Sequence, residues 1–484
     1  MSTQVQYEIR SFEDWRETAG VLPTDPKFSQ LAPAVLAHLE STGILTVISE
    51  SDYVDFDYAA AYAHFYSYNF RPPPRLCTRH LFFSHSFNTI TALHKPAVRR
   101  SFQGFITVWP TNPPVIGRSV LPFPSPGTDD QFTVEAPYVV HVAGEELVLH
   151  SAMFASKDHA VSACATIATW LSTDLLHRRF ALPTCSSSEI TLLATGNDPK
   201  WGRAFPQTYG LDAEQITRAL AALGYGPHIR YFDPDMRGPV ERDRTWIGIV
   251  YGYLLSGFPV ILMCEVQGVG NHAILAVGLR TSENSGQGTT PTGNLGTRSF
   301  ARTVTSLLVH DDRFGPFGIL TPDFTTKREG SIAYPGGVKN RITLMAVIVP
   351  LPAGVNLVSD DAHALGVQHL LEFFRSPELL DEGDYVGPFQ TYLSPSTDFK
   401  KNTFEINRWQ SAGSSSRKRL RDIAFPKWVW VTEAYPDYVR TNRESDPIAR
   451  AVYDSTQLPF GDHRLLLGGH IYRAFFDGVG DMAT

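Results

Sequence analysis

The sequence predicts an α+β chain of several domains, on three observations. Its 484 residues exceed what one hydrophobic core organises, and a hydrophobic content of 43% is enough to fill more than one. A run with helical spacing starts at Cys164 and continues through Ile167, Trp170, Leu171, Leu175 and Leu176, so that one face can pack into a core. Beyond it the pattern changes to short strand-like segments at 258–264, 272–278 and 305–310, separated by Gly, Pro and Asn.

Taken in order, residues 1–150 read as an N-terminal mixed α/β domain. Residues 28–41 have helical spacing, 44–49 form a strand, and 57–68 form an aromatic-rich helix. Strands follow at 80–83 and 102–109 and in the alternating stretch 132–149, with the Pro/Gly-rich stretch 110–127 as a connection. Residues 151–352 hold the cysteine helix and the strands after it, closed by a strand at 341–351. Residues 353–484 read as a β-rich α+β extension, with a helix around 362–375 and strands at 428–431, 449–453 and 465–475. Two insertions are expected to be mobile. Residues 281–297, rich in Gly, Ser, Thr and Asn, lie between two candidate site strands, where they could act as a lid. Residues 411–421 join a serine run to Arg417, Lys418, Arg419 and Arg421 and read as a solvated loop.

Charge and cysteine usage exclude several classes. A formal net charge of −7 gives no general attraction to nucleic acid or anionic membranes. Four scattered cysteines make neither a disulfide scaffold nor a Cys-x-x-Cys zinc site, so no metal and no cofactor is expected, and a reducing compartment fits. The first ten residues lack the basic start and apolar core of a signal peptide, and a cytoplasmic location is expected. The longest apolar stretch, 247–263, is broken by Gly248, Gly252, Ser256, Gly257 and Pro259, and reads as helix, turn and strand rather than a membrane span. The chain shows no internal repeat, Walker loop or dinucleotide fingerprint.

The chemistry centres on Ser162-Ala163-Cys164-Ala165-Thr166, a cysteine among small residues where a helix begins. A helix N-terminus carries partial positive charge and unpaired N–H groups, an environment that favours the thiolate, the attacking form of cysteine. His272 opens a strand downstream, and Asp311, with Asp312 as competitor, ends the next. An imidazole can take the thiol proton and return it to a leaving amine, while a carboxylate on the other ring nitrogen fixes the tautomer. Cys185, in a Pro-Thr-Cys-Ser loop, and Cys264, at the end of a buried strand, read as structural. His159 would sit behind the nucleophile, and His310 alternates to the face opposite Asp311.

The order Cys, His, Asp resembles that of the papain-like cysteine peptidases, and more closely the branch that includes the bacteriocin-leader-processing peptidases. Ser256-Gly257-Phe258-Pro259-Val260-Ile261, His272-Ala273-Ile274 and Val309-His310-Asp311 match three of its places, and the likeness covers about residues 154–350. Segments 51–55, 80–83 and 104–109 look similar to an N-terminal region of bacterial relatives of these peptidases. The resemblance implies a nucleophile helix packed on an antiparallel sheet and a Cys164–His272–Asp311 triad that cleaves a peptide or isopeptide bond of a protein or peptide substrate. Related outcomes are a deamidase, an acyltransferase, or a binding module without turnover. One place departs from the pattern: the family's oxyanion-hole glutamine lies six residues before the cysteine, where this chain has Asp158. An ionised aspartate cannot donate a hydrogen bond. Either Ser156, Lys157 or Asn271 supplies the donor, or the site is weak or performs another reaction.

Overall fold

The computed structural model describes residues 6–18, 22, 30–127, 130–158, 160–196, 210–232, 245–282, 299–323, 328–374, 386–405, 418, 420–436, 446–457, 464–468 and 473–477. The first elements are β1 (Tyr7–Ser11), α1 (Phe12–Glu17), α2 (Leu31–Ser41), β2 (Thr46–Tyr53), α3 (Phe56–His64), β3 (Cys77–Phe83), α4 (Pro96–Arg100), β4 (Phe102–Trp109) and β5 (Val115–Val120). Next come β6 (Asp130–Thr133), β7 (Ala136–Val142), β8 (Glu145–Ser151), β9 (Met153–Phe154), α5 (Cys164–Phe180), α6 (Ser187–Thr195), α7 (Ala213–Ala222), β10 (His228–Tyr231) and α8 (Thr245–Leu255). They are followed by β11 (Val260–Val266), β12 (Gly270–Thr281), β13 (Val304–Asp311), β14 (Gly315–Pro322), β15 (Glu329–Ala333) and β16 (Lys339–Val349). The last are α9 (Ser359–Phe374), β17 (Val386–Pro395), α10 (Ser396–Glu405), β18 (Trp428–Pro436), β19 (Ala449–Asp454), β20 (Arg464–Gly468) and β21 (Arg473–Asp477). The chain is mixed α and β with antiparallel sheets, as the α+β reading expects.

Contacts gather these elements into two compact units that do not follow chain order. One takes Met1–Glu241, Phe258–Gly278 and Ser306–Pro350; the other takes Arg242–Gly257, Leu279–Thr305 and Leu351–Thr484. The sequence places boundaries near 150 and 352, whereas β9, just past the first of these, pairs with β5 and so joins the N-terminal sheet.

In the first unit, β1-β2-β3-β4-β5-β9 form one sheet, and Trp15, Val35, Leu39, Phe82, Ile106 and Phe317 lie in its core. The Pro/Gly-rich stretch 110–127 is not only a connection, because Val115–Val120 inside it pairs with β4. The second sheet runs β16-β11-β12-β13-β14-β15, and β15 pairs again with β16, so six strands close on themselves, with β10 along the far half of β16. Gly315-Pro316, which by composition would end a strand at a sheet edge, instead opens β14, which pairs with β13. Gly315 lies at φ +122° beside Ala34, whose Cβ would be 2.9 Å from an added Cβ, so a side chain there is strained on both counts.

Helix α5 also departs from the one-faced packing its spacing suggests, because Ala165 through Leu176 are all buried. Its polar residues tolerate this by bonding to their own helix: Thr169 Oγ1 donates to Ala165 O at 2.7 Å and Ser172 Oγ to Thr169 O at 2.8 Å. In the second unit, β17 to β21 form a five-stranded antiparallel meander, with α9 close against β18. Gly366 of α9 permits that approach, since an added Cβ would fall 2.0 Å from Thr432 Oγ1.

Candidate active site

The path into Cys164 is fixed before the helix begins. Asp158 Oδ1 accepts the backbone N–H groups of Ala160, Val161 and Ser162 at 3.1, 2.9 and 2.7 Å. Its Oδ2 accepts the hydroxyl of Tyr66, so the turn is knotted to the end of the α3 segment. Burial pushes the Asp158 carboxyl up against the pull of these donors. Upstream, Ser156 Oγ accepts from Ile116 N at 3.0 Å and donates to Ile116 O at 3.2 Å, which pins the loop to β5. The chain then enters α5 at Ala163, whose side chain makes no cap, and the first turn holds no acidic residue. The N–H groups at this end therefore meet no capping side chain of the helix, and the half-buried Cys164 stands at its first position.

The ring closure brings the partners to it. His272 lies opposite Cys264 in the β11–β12 ladder, and Asp311 is the last residue of β13. His272 Nε2–H donates to Asp311 Oδ1 at 3.0 Å. Cys164 is a side-chain partner of the same imidazole. With Nε2 turned to the carboxylate, Nδ1 is the nitrogen left for the sulfur. Burial alone would lower the imidazole pKa, but the Asp311 charge and Cys164 raise it well above its ordinary value. Burial alone would raise the Asp311 carboxyl, and His272 outweighs that to hold it below the carboxylate range. The two shifts agree on an imidazolium–carboxylate pair.

Asp311 rather than Asp312 holds the histidine. Asp311 Oδ1 also accepts Arg313 N at 2.9 Å and Phe314 N at 3.2 Å, and Oδ2 accepts the Tyr334 hydroxyl at 2.6 Å. Tyr334, stacked on Phe314, is a partner that the sequence did not mark, since it follows β15 with no motif around it. Asp312 Oδ1 is 3.6 Å from the same Nε2, and neither of its buried oxygens has a hydrogen bond among the described residues. Burial pushes this second carboxyl up, with Lys157 and His272 pulling against it and Asp311 adding to the rise. Lys157 Nζ is 3.9 Å from Asp312 Oδ2. His272, Asp311 and Asp312 have the mutual spacing of metal ligands, within 4.8 Å, and the Lys157 ammonium already sets a positive charge 3.9 Å from Asp312 Oδ2.

The other candidates divide clearly. Cys264 Sγ is buried and donates to His272 O at 3.6 Å, and burial holds its proton, as it does for Cys77. Burial pushes Cys185 up to about 12. His310 faces the other side of β13, donates from Nδ1 to Met153 O at 3.0 Å, and is held by burial down to about 3. Asn271 pairs with Glu265 on the exposed side of the ladder, so its side chain points away from His272. Ser162 Oγ, unmarked by the sequence, is buried without a hydrogen bond among the described residues. His159, residues 283–297 of the expected lid, and residues 411–417 and 419 of the second insertion lie outside the described residues. A groove of about 530 Å³ lined by Glu265, Thr321, Glu329, Ser331 and Arg341 opens on the face opposite Cys264 and His272, and takes no part in this arrangement.

No protein-family model, no curated protein and no solved structure matches the chain. Among the described residues, no helix is long and apolar enough to cross a membrane.

Proposed function

We propose that the chain is a cysteine hydrolase of papain-like architecture that cleaves a peptide or isopeptide bond of a protein or peptide substrate through a thioester. The observation that carries this reading is the line Cys164, His272, Asp311, with a half-buried thiol at an uncapped helix start and a 3.0 Å bond holding the far side of the imidazole. His272 Nδ1 takes the thiol proton while Asp311 steadies the imidazolium. The sulfur then bonds to the substrate carbonyl carbon, and the carbonyl pair moves onto oxygen near the Cys164 N–H. As the intermediate collapses, the C–N bond breaks and the imidazolium gives its proton to the leaving amine. Water, deprotonated by His272, attacks the thioester carbon, and the sulfur leaves and recovers the proton. Such a site needs no cofactor.

The test is incubation of the full chain and of Cys164→Ala with a proteome-derived peptide library, followed by mass spectrometry of new termini. New termini made by the native chain and absent with Cys164→Ala are expected. Amide-to-acid conversion without chain cleavage would instead make it a deamidase, and no product from either would leave a binding module.

A further inference from the structure

We propose that Tyr334 is a positioning residue of this site: its hydroxyl fixes the Asp311 carboxyl in the orientation that receives His272 Nε2–H. This rests on the hydrolase reading above. An aspartate carboxyl turns easily about its Cβ–Cγ bond, and the imidazole is aligned only while Oδ1 faces Nε2, so the site needs something to hold the carboxyl plane. Oδ1 takes three donors: His272 Nε2 at 3.0 Å and, from its own turn, Arg313 N at 2.9 Å and Phe314 N at 3.2 Å. Oδ2 takes one among the described residues, the Tyr334 hydroxyl at 2.6 Å. Without that hydroxyl a buried, charged oxygen is left unpaired, and the carboxyl is held from one side only.

Tyr334 is itself held in three ways. Its backbone closes the turn after β15, with Tyr334 N–H donating to Val338 O at 2.9 Å and Tyr334 O accepting from Gly337 N at 3.1 Å. Its ring stacks on Phe314 with centroids 5.0 Å apart, and Phe314 N is one of the donors to Asp311 Oδ1. The ring also lies against Gly318 of β14, where an added Cβ would fall 2.9 Å from Tyr334 Cδ1 and Cε1, so it fits only because the strand carries no side chain there. Burial, with the Asp311 charge, pushes the phenol well above its ordinary range, so it keeps its proton and stays a donor. The neighbouring carboxyl supplies the contrast. Asp312 Oδ1 is 3.6 Å from the same Nε2, yet no hydrogen bond orients it among the described residues, and it is Asp311 that bonds the imidazole.

The test follows iodoacetamide alkylation of Cys164 against pH in the full chain, because the pH at which the thiol becomes reactive reports how well the imidazole is held. The other ionisable groups around the His272–Asp311 pair are Asp312, Lys157 beyond it, and the buried Cys264. Tyr334→Phe keeps the ring and its stacking and removes only the hydroxyl. It should raise the onset of alkylation by about one pH unit and slow the reaction at neutral pH about tenfold, as the loss of one hydrogen bond to a charged group implies. In the Asp311→Asn background the same change should have almost no effect, as expected of a residue that acts through Asp311. Gly318→Ala presses on the ring and leaves the hydroxyl, and should shift the onset in the same direction. An onset in Tyr334→Phe at or below the native one overturns the proposal, as does the native onset in Gly318→Ala if Tyr334→Phe does not fold. So does a shift of equal size in the Asp311→Asn background. A tyrosine that only supports the fold would lower the melting temperature and leave the onset where it was. If native Cys164 is alkylated no faster than an ordinary thiol, the hydrolase reading itself fails and this inference falls with it.

Discussion

Helix α5 carries two charged clusters, one near its middle and one at its start, and both are built on buried carboxylates. At the middle, Asp174 Oδ1 accepts from Arg118 Nη1 at 2.7 Å, and Oδ2 accepts from Arg178 Nε at 3.0 Å and the Tyr138 hydroxyl at 2.9 Å. Arg118 in turn donates from Nε to Asp57 Oδ2 of α3 at 2.7 Å. Burial would raise the Asp174 carboxyl, yet the two guanidinium groups hold it below the carboxylate range. That cluster is closed, and it contains no nucleophile. At the helix start, Asp311 is equally well satisfied, but the line it anchors ends in a half-buried sulfur, and neighbouring Asp312 has two oxygens without a hydrogen bond among the described residues. The contrast teaches that a satisfied buried network serves the fold, whereas a network left open at one end has somewhere for charge to go.

The largest expected effect sharpens this difference. Arg118→Met leaves Asp57 and Asp174 short of a cation in the interior, so urea denaturation should show a loss of about 3–5 kcal/mol. Cys164 in the protein that remains folded should be alkylated at the native rate. A stable Arg118→Met chain with a dulled Cys164 would break the comparison, by making the middle cluster part of the chemistry.

A smaller effect separates the two faces of β13. Asp311 faces the site, while His310 on the opposite face is kept neutral by burial, as are His38 and His80. Their folded values, about 3 for His310 and about 4 for His38 and His80, lie below the unfolded value of 6.5. At these three histidines the unfolded chain therefore binds more protons than the folded one below about pH 6.5, and their contribution to stability falls as pH drops from there toward the folded values. With melting temperature followed from pH 7 to pH 4.5, His38→Gln should shift the curve upward at the acid end relative to the native chain. A native-minus-variant difference that does not change with pH would contradict the neutral assignment of His38.

Much of the site was legible because its signals are local. The small residues around Cys164, the Gly-Phe-Pro-Val lead into β11 and the Asp311-Asp312 pair lie at element ends, where periodicity stops. Asp311 against Asp312 was not legible, since adjacent residues differ only in which way the turn through Gly315 throws them. Tyr334 and the Lys157–Asp312 pair depend on the closure of β15 onto β16 and on the loop knotted by Asp158, contacts between segments far apart in sequence. The same limit hid β5 behind its prolines, because pairing with β4 outweighs local composition. It also assigned α8 with β11, whereas contacts put this helix in the unit that holds the C-terminal sheet.

The central claim is that Cys164 is a nucleophile served by His272 and steadied by Asp311. Its most direct measurement is the rate of iodoacetamide alkylation at each of the four cysteines, followed across pH by peptide mass spectrometry in the native chain, His272→Ala and Asp311→Asn. Cys164 should react first and alone near neutral pH, His272→Ala should reduce it to the behaviour of an ordinary thiol, and Asp311→Asn should fall between the two. Faster labelling of Cys77 or Cys185, or a Cys164 rate indifferent to His272→Ala, would contradict it.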